Sequence, residues 1–535
     1  MQGSSPPVRR VPARRRLARR SSSVGDHSAR VDALRTGSRI SKGRPSHAND
    51  WLTSRMYTPA EEIGLMGMRL ATRVQHAFDQ IPQAEVIDLM HAIRREANDR
   101  HLAYQRDGVT EIIRLLPCPL ILRPDQLGYT HYISATILNC IKRLPDLYFQ
   151  VPEVREILRV TPAEEEWLRE CWTPAHREAN PVFGRLDAVV DYTTAMWKDS
   201  IKFMEPNLSG IGGLHIAPTS MRILADLVVP ALLAQDPSIR LQLTDDVREL
   251  LLQELMEHLE AIGRPHGQIV LVDPKYATDG PDEPEALAAY YRRRHGLSVL
   301  HADVSELRLR GDEVFYEGTL VDLAYRDASV LDLIDLAEEG IDVAPMRALL
   351  RQNRVVSSIT AELDQKSCFE IFTDPALVQR FLTVEERQVM RRHVLWTRLV
   401  SDRRTVSPNG EEIDLLEYAC RERESLVLKP NRAYGGEGVV VGPGTGQGEW
   451  ESAIDRALED EERWVVQQVA QIPVKSFQVL DKFDRVHVEP FYIVMGMASS
   501  RDGVAFVVRA SQQHVVNVAK QGGMCAVMVS AKALQ

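Results

Sequence analysis

The sequence predicts a mixed α/β (α+β) protein, and three observations carry that prediction. Residues 268–303 spell strand, helix and strand within ~35 residues, the layout of a parallel βαβ unit. Residues 425–530 form a strand-rich module with one helix among its strands. Residues 56–175 carry helix start signals and helical periodicity instead.

Taken in order, the first segment is 1–55. Residues 1–50 hold 12 Lys and Arg against 3 Asp and Glu, a net +9, and few large apolar side chains. Such a stretch cannot bury a core and reads as a disordered basic tail, or as translation begun upstream of a start at Met56. Arg14, Arg15, Arg16, Arg19 and Arg20 also suit a targeting segment or a nucleic-acid arm. The absence of an apolar run behind them argues against a secretory signal.

Residues 56–180 read as a helical scaffold without a catalytic pattern. Thr58-Pro-Ala-Glu61 and Thr161-Pro-Ala-Glu164 have the layout of capping boxes, with Thr accepting from the third helical N–H, Pro first in the helix and Glu reaching back. Helices are expected after Thr58, over Pro82–Arg100, over Asp125–Leu144 and after Thr161. Two strand-like segments follow, Arg185–Tyr192 and Ser200–Asn207, and then helices at Ser220–Ala234 and Thr244–Ile262. Gln268–Asp273 is a buried-type strand, Glu285–His295 a helix stopped by Gly296, and Ser298–Asp303 the next strand. A hairpin around Gly311-Asp312 and a strand at Leu320–Tyr325 complete this unit. No G-x-G-x-x-G follows its first strand, so a dinucleotide site is unsupported. Beyond residue 355, helices after Asp364 and Thr383 precede seven strands: Ser425–Lys429, Val439–Gly442, Trp464–Val469, Val488–Gly496, Gly503–Ser511, Val515–Ala519 and Ala526–Ser530, with a helix at Glu449–Glu462.

Composition narrows the function. With 535 residues, 44% apolar and 26% charged, the chain suits roughly three packed units at ~100–200 residues each. The net charge of -10 conceals an acidic body of -19 behind the +9 tail, which argues against a general nucleic-acid binder. No run of about 18 uncharged apolar residues occurs, since Asp226 and Pro230 interrupt the richest stretch, Ile223–Ala234, so no membrane partner is expected. Six scattered cysteines (Cys118, Cys140, Cys171, Cys368, Cys420 and Cys525) form no CxxC pair or metal spacing. A reducing, cytoplasmic setting is the simplest expectation.

Two constellations could do chemistry. In Ser425-Leu-Val-Leu-Lys-Pro-Asn-Arg-Ala-Tyr-Gly-Gly-Glu-Gly-Val-Val-Val-Gly442, an apolar strand ends at Lys429 and a loop carries Gly435, Gly436 and Gly438. Glycines let backbone N–H groups approach an anion, and a strand-end lysine supplies a point charge for a polyphosphate. A plain hairpin turn explains the same glycines equally well. It is not a Walker loop, because the lysine precedes the glycines and no helix opens after them. Upstream, Arg185 and Asp187 share one strand face, as do Glu205 and Asn207 on the next strand. If those strands pair, Asp187, Glu205 and Asn207 converge as hard oxygen ligands for Mg²⁺, with Arg185 facing phosphate. A solvated hairpin with ordinary surface charges is the blander alternative.

The Lys429 segment, preceded by Leu363-Asp-Gln-Lys366, Phe381-Leu-Thr-Val-Glu-Glu386 and His393-Val-Leu-Trp-Thr-Arg398, resembles the circularly permuted ATP-grasp proteins, which include glutathionylspermidine synthase-like ligases. The resemblance takes in Arg185-Leu-Asp187 with Glu205-Pro-Asn207, then Asp322-Leu-Ala-Tyr-Arg326, Arg509-Ala-Ser511, Asn517-Val and Gly522-Gly523. It covers most of residues 100–535 in the family's order. It implies a circularly permuted ATP-grasp core with its metal-binding half at 181–264, a Rossmann-like pre-ATP-grasp unit at 265–354 and its nucleotide-binding half at 355–535. Lys366 and Lys429 would contact the nucleotide, Tyr434–Gly438 would be a mobile phosphate lid, and Gln467, Gln468 and Val469 would hold the adenine edge. Asp187, Glu205 and Asn207 would hold Mg²⁺, while Arg185 and Arg509 would neutralise the transferring phosphoryl group.

The implied activity is an ATP- and Mg²⁺-dependent carboxylate–amine ligase that forms an amide or peptide bond through an acyl phosphate, with a small-molecule carboxylate and an amine as partners. A small-molecule phosphotransferase and a non-catalytic interaction protein are the alternatives. Two departures stand out: Leu395 replaces the usual proline before Trp-Thr-Arg, which should only alter a turn, and Glu437 puts a negative charge inside the glycine loop. His215, Trp396 and Trp464 read as structural residues.

Overall fold

Three sheets position the site in the computed structural model, which describes residues 70–106, 109–276, 283–433, 435–460, 463–513 and 522–531. These all belong to one unit, Gly64–Gln535. The basic tail 1–55, the Thr58 capping box, Tyr434, the strand expected at Val515–Ala519 and Asn517 lie outside the described residues.

The largest sheet has eight strands. Its path runs Arg114–Leu122, Gly523–Ser530, Val504–Ser511, Val486–Ser499, Arg185–Val189 and Lys202–Asn207, while Val474–Leu480 pairs with Val486–Ser499 and Leu241–Leu243 with Gly523–Ser530. All pairings are antiparallel except that of Arg114–Leu122 with Gly523–Ser530. The strand Val504–Ser511 reads VAFVVRAS and is apolar on both faces because helices cover both sides of the sheet.

Several strands depart from the sequence reading. Arg114–Leu122 interrupts the region read as mostly helical; its Pro117 and Pro119 are tolerated because it is an edge of the sheet and bonds one neighbour only. The strand expected to stop at Gly496 continues to Ser499. Val474–Leu480 was not foreseen, since its polar and apolar residues alternate weakly.

The helix Ile216–Gln235 lies across Gly523–Ser530 and Arg114–Leu122, beside the helix Gln83–Asp99. By length and composition it could span a bilayer, with a mean hydropathy of 1.5. Here that apolarity faces the sheet, burying Ile216, Met221, Ile223, Leu224, Val228 and Leu232. Thr161 and Glu164 form the expected capping box, with Glu164 N–H donating to Thr161 Oγ1 at 3.2 Å and Thr161 N–H to Glu164 Oε2 at 2.8 Å.

A second sheet is wholly parallel, in the order Val355–Val356, Leu323–Arg326, Ile269–Val272, Val299–Ala302. The helix Glu283–His295 makes the expected βαβ crossover between Ile269–Val272 and Val299–Ala302. The third sheet is antiparallel, in the order Thr397–Leu399, Trp464–Gln468, Leu426–Pro430, Val440–Val441. Trp450, on the helix Gln447–Glu459, is fully buried against it with Trp396 and Trp464, so these tryptophans are core as expected.

The third sheet meets the first at residues 393–397. Leu395 N–H donates to Phe203 O at 3.3 Å, so this position does more than shape a turn: a proline here would lack the donor. His393, fully buried, donates from Nδ1 to Ile201 O at 3.0 Å and accepts at Nε2 from the Tyr129 hydroxyl at 2.8 Å. Burial lowers its pKa to about 4. The unfolded histidine titrates near 6.5, so the stability held by neutral His393 is complete above that pH and is lost as pH falls towards 4. By pH 5 this loss is about 2 kcal/mol. Urea unfolding at pH 7.5 and pH 5 should therefore show the destabilisation caused by His393→Gln shrinking by about that amount at the lower pH.

Candidate functional site

The site begins with the paired strands Arg185–Val189 and Lys202–Asn207. Their antiparallel register sets Arg185 opposite Asn207 and Asp187 opposite Glu205. Alternation then turns all four side chains towards one face, as the sequence pattern implied. A cavity of about 450 Å³ opens there, between this edge of the large sheet and the third sheet. Arg185, Asp187, Glu205, Asn207, Lys366, Lys429, Gly435, Gly436, Gln467, Val469 and Arg509 all line it. Gly438 and Gln468 do not, and Tyr434 lies outside the described residues.

Asp187 is 1% exposed and receives two guanidinium groups: Arg185 Nε donates to Oδ1 at 2.9 Å and Arg509 Nη2 to Oδ2 at 2.5 Å. Burial alone would raise its pKa, but the two arginines outweigh burial and hold it at about 2. Arg185 also donates to Gly212 O at 2.6 Å. Arg509 Nε is buried without an acceptor. The glycine at 496, across from Asp187, is what admits Arg185: a Cβ there would overlap the arginine's aliphatic stem.

The lysines arrive from the other side. Lys429, next to last in the strand Leu426–Pro430, donates to Gln467 Oε1 at 2.8 Å; Gln467 Nε2 in turn donates to Met204 O and Thr397 Oγ1, each at 2.9 Å. Gln467 therefore bridges the two sheets and aims Lys429. Burial lowers the pKa of Lys429, with Glu205 acting against that shift. Lys366 donates to Ala433 O at 2.6 Å and lies 3.5 Å from Glu205. The backbone N–H groups of Gln468 and Val469 are bonded to Trp396 O at 2.9 Å and Ser425 O at 2.8 Å.

The glycine loop has the backbone that glycine permits, with φ of +67° at Gly435 and +73° at Gly436. Gly438 shares that backbone, with φ of +72°, and also packs closely: a Cβ there would sit 2.8 Å from Pro430 Cγ. Glu437 lines the cavity, as its position in the loop suggested.

Residues outside the sequence-derived set complete the site. Glu164, buried in the N-terminal region, grips Arg432 with both oxygens at 2.6 and 2.9 Å and so fixes the chain just before Ala433. Buried Glu283 accepts from the N–H groups of Gly213, His215 and Ile216 at 2.6, 2.7 and 2.9 Å, capping the helix Ile216–Gln235 beside the cavity. His215 is structural, with its pKa lowered to about 4 by burial. Glu164 carried a signal in its capping box; the Glu283 contact is 67 to 70 residues long in sequence and had none.

The structure resembles that of a glutathione synthetase-like effector, GSS30, from Globodera pallida in apo form, with a TM-score of 0.57 over 83% of this chain and 97% of that one, at 11% identity. A local sequence match joins it to the ATP-grasp enzyme ankG of Aspergillus thermomutatus, 28% identical over 172 residues. The ankG match spans 30% of this chain and 32% of the relative, about a third of its length. No family model matches.

Among the described residues no cluster of three His, Cys, Asp or Glu side chains could hold a metal by itself. Asp187 gives both oxygens to arginines, so on that face Glu205 and the Asn207 amide oxygen are the donors that fit Mg²⁺ of the kind that completes its shell with phosphate oxygens and water.

Because Asp187 neutralises two enclosed guanidinium groups, Asp187→Ala leaves both without their carboxylate. Urea denaturation should show a loss of about 3–5 kcal/mol.

Proposed function

We propose that this ATP-grasp-like protein is an ATP- and Mg²⁺-dependent carboxylate–amine ligase. The observation that carries the reading is the convergence of Arg185, Arg509, Lys366 and Lys429 from separate strands and loops on one cavity that also holds Asp187, Glu205 and Asn207. In the chain the acidic strands precede the lysine strands, the order of the permuted branch. The fold likeness to GSS30 and the local match to ankG support the same class.

Phosphoryl transfer asks for charge compensation and in-line positioning more than for a nucleophilic side chain. Lys429, held by Gln467, and Lys366, tied to the loop at Ala433, are placed to grip the phosphates. Arg509, whose Nε has no acceptor, and Arg185 face the transferring group. Glu205 and Asn207, with Asp187 behind them, would hold Mg²⁺, which when bound offsets phosphate charge. The terminal phosphoryl group passes from ATP to a carboxylate oxygen and ADP departs; an amine nitrogen then bonds to the acyl carbon and phosphate leaves. Gly435 and Gly436 let the loop close over the nucleotide and keep water from the acyl phosphate.

Titration with ATP–Mg²⁺ and an ADP-release screen over amino acids, small peptides and polyamines test this reading. Lys429→Met should weaken nucleotide binding by about 10–100-fold while leaving the far-ultraviolet circular dichroism unchanged. Wild-type protein that binds no ATP–Mg²⁺ at millimolar concentration overturns the proposal.

A further inference from the structure

The large-sheet wall of the cavity has a charged part and an apolar part, and Arg509 marks the boundary. Val494 stands opposite Arg509 on one neighbouring strand and Met524 on the other. Cross-strand partners share a face, and Val507, two residues from Arg509 on its own strand, shares it too. All four line the cavity. Leu115 is the partner of Met524 across the parallel pair, so Ile113, two residues earlier, continues the row. Ile113 and Tyr104, on the adjoining hairpin, line the cavity as well.

The other charged side chains of the lining come from the strands Arg185–Val189 and Lys202–Asn207 and from Lys366, Lys429 and Glu437. Among the described residues that Val486–Ser499, Val504–Ser511, Gly523–Ser530 and residues 103–113 contribute to it, Arg509 is the one charged group. Arg509 gives Nη2 to Asp187, and its Nε has no acceptor. A guanidinium at the border of an apolar wall fits a carboxylate whose other end is apolar. Ile113, Val494, Val507 and Met524 are all buried, so bulk water does not wash this wall. A Cβ on Gly213 would lie 2.6 Å from Val507 Cγ1, so the backbone there closes the cavity over Val507.

Resting on the ligase reading, we propose that the acid substrate is an apolar monocarboxylic acid, aliphatic or aromatic. Its carboxylate lies against Arg509, and its body lies on Val494, Met524, Ile113 and Tyr104. A second carboxylate or an ammonium group placed on that wall would shed its water and meet no opposite charge. Each methylene buried there strengthens binding about fourfold. The N-terminal region, which reads as scaffold in the sequence, thereby takes part in substrate selection through Tyr104 and Ile113.

The test supplies the protein with ATP–Mg²⁺, hydroxylamine in place of the amine, and one acid at a time: acetate, hexanoate, phenylacetate, succinate or glutamate. The terminal phosphoryl group of ATP passes to the acid's carboxylate oxygen and ADP leaves. The hydroxylamine nitrogen then bonds to the acyl carbon, the carbon–oxygen bond to phosphate breaks, and the nitrogen's proton leaves with phosphate. The hydroxamate formed is read by its ferric complex, and ATP–Mg²⁺ affinity is measured separately. Wild type should use hexanoate and phenylacetate with kcat/KM at least about tenfold above those of succinate and glutamate. Tyr104→Ala, at a half-buried position, should lower the phenylacetate-to-acetate ratio of kcat/KM about tenfold, which a general loss of structure would not do. Met524→Gln, close in size, should lower the same ratio from the neighbouring strand. Equal or better use of succinate or glutamate, an unchanged ratio in both variants, or ATP–Mg²⁺ binding without hydroxamate from either apolar acid overturns the acid class and leaves the ligase reading standing. Absence of ATP–Mg²⁺ binding by wild type overturns the ligase reading itself.

Discussion

The buried carboxylate of Asp187 is the constraint on which the site depends. It sits on a strand flanked by Lys202–Asn207 and Val486–Ser499, and it reaches past Val486–Ser499 to Arg509 on Val504–Ser511. One side chain thus ties its own strand to the next but one in the sheet. Two guanidinium groups close together repel one another and resist leaving water, so they can be enclosed only if an anion lies between them. Burial alone would favour the protonated acid, but the two adjacent guanidinium charges outweigh it, which is why the pKa of Asp187 stays low. The arrangement needs space as well as charge, and Gly496 provides it by omitting the side chain that would meet Arg185.

The opposite wall follows a similar logic with neutral groups. Gln467 spends its amide on three partners, Lys429, Met204 and Thr397, and so couples the third sheet to the edge of the first. Glu164 anchors Arg432 and thereby the chain beside Ala433, whose carbonyl holds Lys366. Four cations and three carboxylates (Asp187, Glu205 and Glu437) line the cavity, leaving an excess of one positive charge. A triphosphate carries more negative charge than this excess offsets, which is the electrostatic reason a divalent cation belongs with such a ligand.

The sequence was most legible where chemistry and local periodicity coincide. Alternation placed Arg185 with Asp187 and Glu205 with Asn207, and the structure pairs those strands in the register that joins them. The strand before Lys429, the βαβ unit and the Thr161 capping box were visible for the same reason: each is written within a few turns or one strand. Arg114–Leu122 was hidden because its prolines disguise an edge strand within helical surroundings. The packing of Gly438 against Pro430 was not legible, because loop composition does not encode that contact.

The sequence by itself determined the α/β class, the residue types able to compensate phosphate charge and the separation of a basic tail from an acidic body, because these depend on composition and on periods of two and 3.6 residues. Only the tertiary structure decided that Asp187 is shared by two arginines and that Gln467 aims Lys429. These contacts join groups 322 and 38 residues apart. Such distances in sequence are closed by sheet packing, and no local pattern records which charges it pairs.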